Sequence, residues 1–327
     1  MELNINASLN SESMSKHVKV LIIGAGPAGL SAALYAARAE LNPVVLTGMT
    51  MGGQASITHI IENYPGFPEG LPGPELGELF RAQAERFGAE IVFDTATEVD
   101  FSEKPYKVKT YGAEYTADSV IITTGATPRH LEVPGEVELT GKGVSYCGTC
   151  DGFFFKDKEV VVVGGGDSAI EEGNFLTRFA NKVTIVHRRD ELRASPILES
   201  RAVANPKIEF IWDTVVQSIE GENSVNHVKL MNVKTGEESL FETDGVFIFI
   251  GHSPNTELFK EYLEMDDDEY LVVNKYMETN LPGIYAAGEV ADPHFRQVIT
   301  SAGMGAAAAI QATRYLEGLE EVVNMHQ

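Results

Sequence analysis

Cysteine is nearly absent. The chain holds two, Cys147 and Cys150, with no further cysteine to complete a structural zinc site, and its eight histidines show no paired ligand spacing. The same scarcity excludes a secreted disulfide scaffold and fits a reducing, cytoplasmic setting. Positive charge is short as well. Lys and Arg number 25 against 48 Asp and Glu, a formal net charge of -23, which repels nucleic-acid phosphates and anionic membrane surfaces. Neither nucleic acid nor a membrane is an expected partner. No apolar run has membrane-spanning length, since residues 302–310 are too few and too rich in Ala and Gly. Residues 1–16 are polar and lack the apolar core of a secretory signal. Residues 1–17 are therefore expected to be a loose tail, with Met14 as an alternative start.

What the chain does have is glycine in ordered places. Val18 to Ile23 is an apolar strand that runs into Gly24-Ala25-Gly26-Pro27-Ala28-Gly29 and a helix from Leu30. Glycines there permit a tight turn and let backbone approach a pyrophosphate, which then sits at the positive end of the helix dipole. The second strand ends in Thr47-Gly48, where the simplest fingerprint puts a ribose-binding acid. The pattern recurs later: strand Glu159 to Val163, turn Gly164-Gly165-Gly166-Asp167-Ser168-Ala169, then a helix. Two such units imply two nucleotides. The strand after the second turn ends in His187-Arg188-Arg189, with Arg193 four residues on. Guanidinium groups in place of the ribose acid suit a 2'-phosphate, so this unit reads as a site for NADP rather than NAD. Gly/Pro boundaries at 125–128 and 251–254 separate the two units, and the strand ending in Gly288-Glu289 is placed back in the first.

Both cysteines lie in Val144-Ser145-Tyr146-Cys147-Gly148-Thr149-Cys150-Asp151-Gly152. A disulfide across three residues closes a small ring that is more readily reduced than a cross-link between distant strands. Chance spacing, half a zinc site or a structural staple are the bland readings; a working redox pair is the sharper one. Asp151 reads either as an acid/base serving the sulfurs or as a plain helix N-cap after the turn.

Taken in order, GAGPAG, GGQ, ENYPGF, TTGA, CGTCDG, GGGDSA, HRRDELRAS, GHSPNT, the GEV segment and RQVITSAG resemble the bacterial-type, low-molecular-weight thioredoxin reductases from about Val18 to Leu319. The resemblance implies an α/β fold of two dinucleotide-binding, Rossmann-like domains. An NADPH domain (127–252) carrying the CxxC would be inserted into a discontinuous FAD domain (18–126 and 253–327). It implies FAD held by Gly24, Gly26, Pro27, Ala28, Gly29, Gly53, Gln54, Asn63, Gly125, Gly288, Glu289, Arg296 and Gln297. NADPH would be held by Gly164, Gly166, Asp167, Ser168, His187, Arg188, Arg189 and Arg193. It further implies a homodimer, thioredoxin as the disulfide substrate, Cys150 nearer the flavin, Cys147 attacking the partner, Asp151 as acid/base, and rotation of the NADPH domain on two short linkers. The sequence departs from the family at Glu289, where Asp is usual, and at Gly148, where a usual Ala is lost and the turn is expected to loosen slightly. Thr123 and Val298 stand where Ala is common and read as packing changes. Ferredoxin-NADP reductases share the fold without a CxxC, and a non-catalytic redox sensor would need neither the acid nor the full arginine set.

Overall fold

The computed structural model describes residues 15–58 and 60–325. Most of the tail expected at 1–17 lies outside them. Its last three residues are a correction: Ser15, Lys16 and His17 are strand, the start of Ser15–Ile23, and register against Glu114, Tyr115 and Thr116. They are exposed, so no apolar pattern marks them.

The chain forms two compact units. One takes the chain up to Ile57, Leu71–Ala126 and Pro254 onward; the other takes Thr58–Gly70 and Thr127–Ser253. In the first unit Glu90–Val92, Val44–Leu46, Ser15–Ile23 and Glu114–Ile122 lie side by side in parallel, and Ile284–Ala286 pairs in parallel with the last of them. The returning C-terminal strand thus completes the sheet of the opening strand, as a discontinuous domain requires. Tyr106–Thr110 and Ala96–Asp100 extend the sheet antiparallel. Alternate residues of the opening strand feed two cores: Leu21 and Ile23 enter one, Val20 and Ile22 the other. Burial on both faces explains its unbroken apolar run, and each such side chain stabilises the fold by about 1.5–3 kcal/mol.

The second unit repeats the plan. Ile208–Ile211, Lys182–Val186, Glu159–Val163, Gly245–Ile248 and Val144–Ser145 make one parallel sheet in that order. Val160 and Val162 face one core, Val161 and Val163 the other. A three-stranded antiparallel sheet, Thr214–Glu220, His227–Asn232 and Glu238–Glu242, is added to it. The stretches at the two Gly/Pro boundaries, Ala126–Pro128 and His252–Pro254, pair as a two-stranded ribbon. Among the described residues no helix is long and apolar enough to cross a membrane.

Candidate active site

Because the strands of each main sheet are parallel, everything that follows a strand directly falls on one edge, the edge where open α/β sheets take ligands. In the second unit that edge carries Cys147 just beyond Val144–Ser145, Gly164 beyond Glu159–Val163, and His187 beyond Lys182–Val186. Cys147 and Cys150 are joined as a disulfide. Cys147 caps the short helix Gly148–Asp151, its sulfur accepting the Cys150 N–H at 3.1 Å. The Thr149 hydroxyl lies 3.4 Å from the same sulfur and must be the donor, since a disulfide sulfur has no hydrogen.

The structure decides between the two readings of Asp151. It stands at the N-cap position of the turn Gly152–Phe155 and makes no capping hydrogen bond with its side chain. Its carboxylate instead accepts the Ser145 hydroxyl at 2.6 Å, and the Cys147 N–H reaches the same Ser145 oxygen at 3.1 Å. The acid is therefore tied to the redox turn. Gly148 is a correction of a different kind: it is buried, and a Cβ there would collide with the Glu172 carboxylate, so the missing methyl is filled by a neighbour and does not loosen the turn. Tyr146, next to Cys147, donates to the buried Glu136 at 2.7 Å. Glu136 also accepts the N–H groups of Leu131 and Glu132 at 3.0 and 2.7 Å. Despite the cost of burial, these bonds hold its carboxyl below the usual range.

The arginine segment is fastened over the glycine turn. Arg193 N–H bonds the Gly165 carbonyl at 2.7 Å, and Ser195 N–H bonds Asp167 Oδ1 at 2.5 Å. Arg188, Arg189 and Arg193 are exposed, and the flanking carboxylates Asp190 and Asp213 are bound by Lys234 at 2.7 and 3.0 Å. His187 is buried; burial first, then the three arginines, lower its pKa below the ordinary histidine value. Its ring packs where a Gly165 Cβ would stand, and meets Trp212, the only tryptophan, edge to face at 6.3 Å.

On the first unit's edge stand Gly24, Thr47, Thr123 and, just past Ile284–Ala286, Gly288 and Glu289. Gly24 has φ +112°, and a Cβ on it would collide with the Thr123 carbonyl. Thr123 does more than pack: its hydroxyl lies 2.8 Å from the Gly24 carbonyl and 3.0 Å from that of Ile23, pinning the turn. A Cβ on Gly53 would stand 3.0 Å from the Gly26 Cα, so these two backbones can meet only as glycines. Gly288 lies on Ala28 of the opening helix, which brings Glu289 to that helix. Burial pushes the Glu289 carboxyl up to about 7; nearby Arg296 opposes the shift and Asp292 adds to it. Buried Asp292 accepts the N–H groups of His294, Phe295 and Arg296 and so shapes the loop that presents Arg296. Gln297 lies at the start of the C-terminal helix Val298–Met325, its carbonyl accepting from Ser301 N–H at 2.9 Å. Pro27 and Ala28 form the first turn of the opening helix, Gln54 lies exposed in the turn Gly53–Ile57, and Gly125 has φ +69° with open space around it. Asn63 falls in the segment grouped with the second unit.

The pyridine nucleotide-disulphide oxidoreductase family model matches residues 18–307. A thioredoxin reductase of Rickettsia bellii is 55% identical over 303 residues, 91% of this chain and 98% of its own. One of Streptomyces coelicolor is 51% identical over 311 residues, 94% and 97% of the two chains. The solved thioredoxin reductase of Streptococcus pyogenes superposes with a TM-score of 0.89 at 45% identity, covering 92% of this chain and 99% of its own. The chain belongs to the thioredoxin reductase family.

As a thioredoxin reductase family member it is an oxidoreductase, and its family implies a flavin and a pyridine nucleotide. Both edges fit such groups. The helices Pro27–Arg38 and Asp167–Leu176 each begin at a glycine with no side-chain cap, so their first N–H groups face a ligand position. A Cβ on Gly166 would meet only open space. Sequence reasoning missed Ser145 and Asp292, and passed over Thr123 as packing. Only Ser145 had a signal, its place two residues before the first cysteine.

Proposed function

We propose that the protein is an NADPH-dependent, FAD-containing thioredoxin-disulfide reductase. The bonding of Asp151 to the Cys147 turn through Ser145 carries the reading. The glycine turn at 24–29 with Gly53, Gln54, Gly125, Gly288, Glu289, Arg296 and Gln297 would hold FAD, and Asn63 joins them by the family pattern. The turn at 164–168 with His187, Arg188, Arg189 and Arg193 would hold NADPH. When bound, these groups supply a hydride and deliver its two electrons to the Cys147–Cys150 disulfide. Cys150 is the sulfur on the flavin side, and Cys147 is the nucleophile toward thioredoxin. Asp151 supplies the proton each departing thiolate needs. The protein acts as a cytoplasmic homodimer, and its charge of -23 disfavours nucleic-acid and anionic-membrane partners.

Replacing Asp151 with Asn is expected to slow reduction of thioredoxin by roughly 10²–10³-fold while leaving flavin reduction by NADPH near its normal rate. Stopped-flow traces of the two half-reactions separate the cases, and equal slowing of both would remove Asp151 from the proton role.

Glu289 gives a pH signature. Flavin hydroxyls donate to its ionised form, so binding must deprotonate it wherever the pH lies below the free value of about 7. FAD affinity should therefore rise with pH to a plateau above 7 and be roughly tenfold weaker at pH 6. In the flavin-free chain the same raised value means that stability contributed by this group is intact below the ordinary 4.5 and is lost as pH rises through about 7. Titration of flavin-free protein with FAD at several pH values measures the first effect, and Glu289→Gln should flatten it. A pH-independent affinity in the unaltered protein would show that Glu289 does not take part.

A further inference from the structure

Three groups of the redox turn converge on one hydroxyl. Ser145 is 4% exposed, and its strand position is fixed by parallel pairing with Phe247. Its Oγ lies 2.6 Å from Asp151 Oδ2, 3.1 Å from the Cys147 nitrogen and 3.2 Å from the Cys147 carbonyl oxygen. The Cys147 N–H can only donate, so Ser145 accepts there. Its single proton then goes to one of two oxygens, and the shorter, charge-assisted contact to the carboxylate wins it. An ordinary turn-forming serine would bond the backbone alone. Here the same hydroxyl spans the backbone of the attacking cysteine and the side chain of the acid.

We propose that Ser145 is the positioning residue of thiol exchange: it holds the Asp151 carboxyl against the Cys147 turn and, by donating to Oδ2, sets how strong an acid Asp151 is. This inference rests on the acid/base role proposed for Asp151. In the exchange, the Cys147 thiolate attacks the thioredoxin disulfide; that S–S bond breaks, one forms to Cys147, and the departing sulfur takes a proton from Asp151. Asp151 next removes the proton of Cys150. The Cys150 thiolate then displaces the second thioredoxin sulfur, which takes that proton back from Asp151, and the Cys147–Cys150 disulfide is restored. Asp151 is acid, base and acid again within one cycle, so its strength must be matched to thiols. A hydroxyl donated to a carboxylate favours the ionised form and lowers its pKa.

Other titratable groups face the turn. Glu172 comes from the helix Asp167–Leu176 against Gly148, and Glu136 with His130 lies behind Tyr146. The strand Gly245–Ile248 and the turn Gly152–Phe155 hold no ionisable side chain. Changing Ser145 leaves all of these in place, so any pH shift belongs to the lost hydroxyl.

The test uses full-length, flavin-loaded enzyme, reduced beforehand and mixed with oxidised thioredoxin in single turnovers across pH. Flavin reduction by NADPH serves as the folding control. In Ser145→Ala the alkaline fall of the exchange rate should move up by about one pH unit, and the plateau should drop roughly tenfold. Ser145→Thr, which keeps the hydroxyl, should restore both; if that larger side chain fails the folding control, the alanine variant decides alone. A Ser145→Ala enzyme whose alkaline limb stays at the normal pH, whatever its rate, overturns the proposal. Asp151→Asn separates the two ideas: it should remove the limb. If it leaves limb and rate untouched, the acid role itself is wrong and the Ser145 assignment falls with it. If it removes them while Ser145→Ala shifts nothing, only the Ser145 assignment fails.

Discussion

Replacing Cys150 with serine is expected to abolish NADPH-driven reduction of thioredoxin while NADPH still bleaches the flavin. A serine oxygen can neither form the acceptor S–S bond nor displace thioredoxin from Cys147, so both the entry and the exit of electrons are lost at one atom. The nicotinamide site is built on other strands, after Val163 and Val186, and should be untouched. Cys147 keeps its place as cap of Gly148–Asp151 and should still attack thioredoxin once. The variant should therefore accumulate as a mixed disulfide that the unaltered enzyme never shows. Flavin absorbance, thioredoxin turnover and the mass of the trapped species report the three parts. Turnover surviving in this variant would mean that the electrons reach thioredoxin by another route.

The second large effect is expected at the arginines. Changing Arg188 and Arg189 together to Gln should raise the KM for NADPH roughly hundredfold and leave that for NADH nearly unchanged, since charge-assisted bonds to a phosphate are worth about 1.5–3 kcal/mol each before losses to exposure. Both side chains are exposed, which argues for the lower part of that range per residue. The effect should shrink at high salt. Steady-state rates with both nicotinamides measure it, and fluorescence of Trp212, beside His187, offers a direct readout of nucleotide binding. An equal loss with NADH would show that the arginines serve the fold and not the 2'-phosphate.

The units of this fold were legible where a strand is buried on both faces and runs into glycines: 18–29 and 159–169 announce themselves by composition alone. Strands with one wet face were not. Thr214–Glu220 loses its alternation at a bulge between Val216 and Ser218, and Glu238–Glu242 is exposed along nearly its whole length. The helix Pro196–Ala204 did carry a start signal, Ser195 followed by Pro196, but its single fully buried residue, Ala202, gives no apolar stripe. The site divides the same way. Residue types with one plausible use, such as paired cysteines or clustered arginines, could be picked out in the sequence. Ser145, Thr123 and Asp292 act through hydrogen bonds that only the folded backbone aligns, and serine, threonine and aspartate are too common for their positions to be read without it. Asp151 shows the boundary: its adjacency to Cys150 suggested two roles, and only the missing cap bond and the Ser145 contact separate them.

The most direct test of the electron route is one experiment on the purified, flavin-loaded protein: add NADPH, then oxidised thioredoxin, and follow flavin absorbance and NADPH consumption together. The flavin should bleach with NADPH, recolour when thioredoxin disulfide is added, and consume NADPH steadily until that disulfide is exhausted, one NADPH per disulfide. A flavin that bleaches and stays bleached after thioredoxin is added would contradict the account.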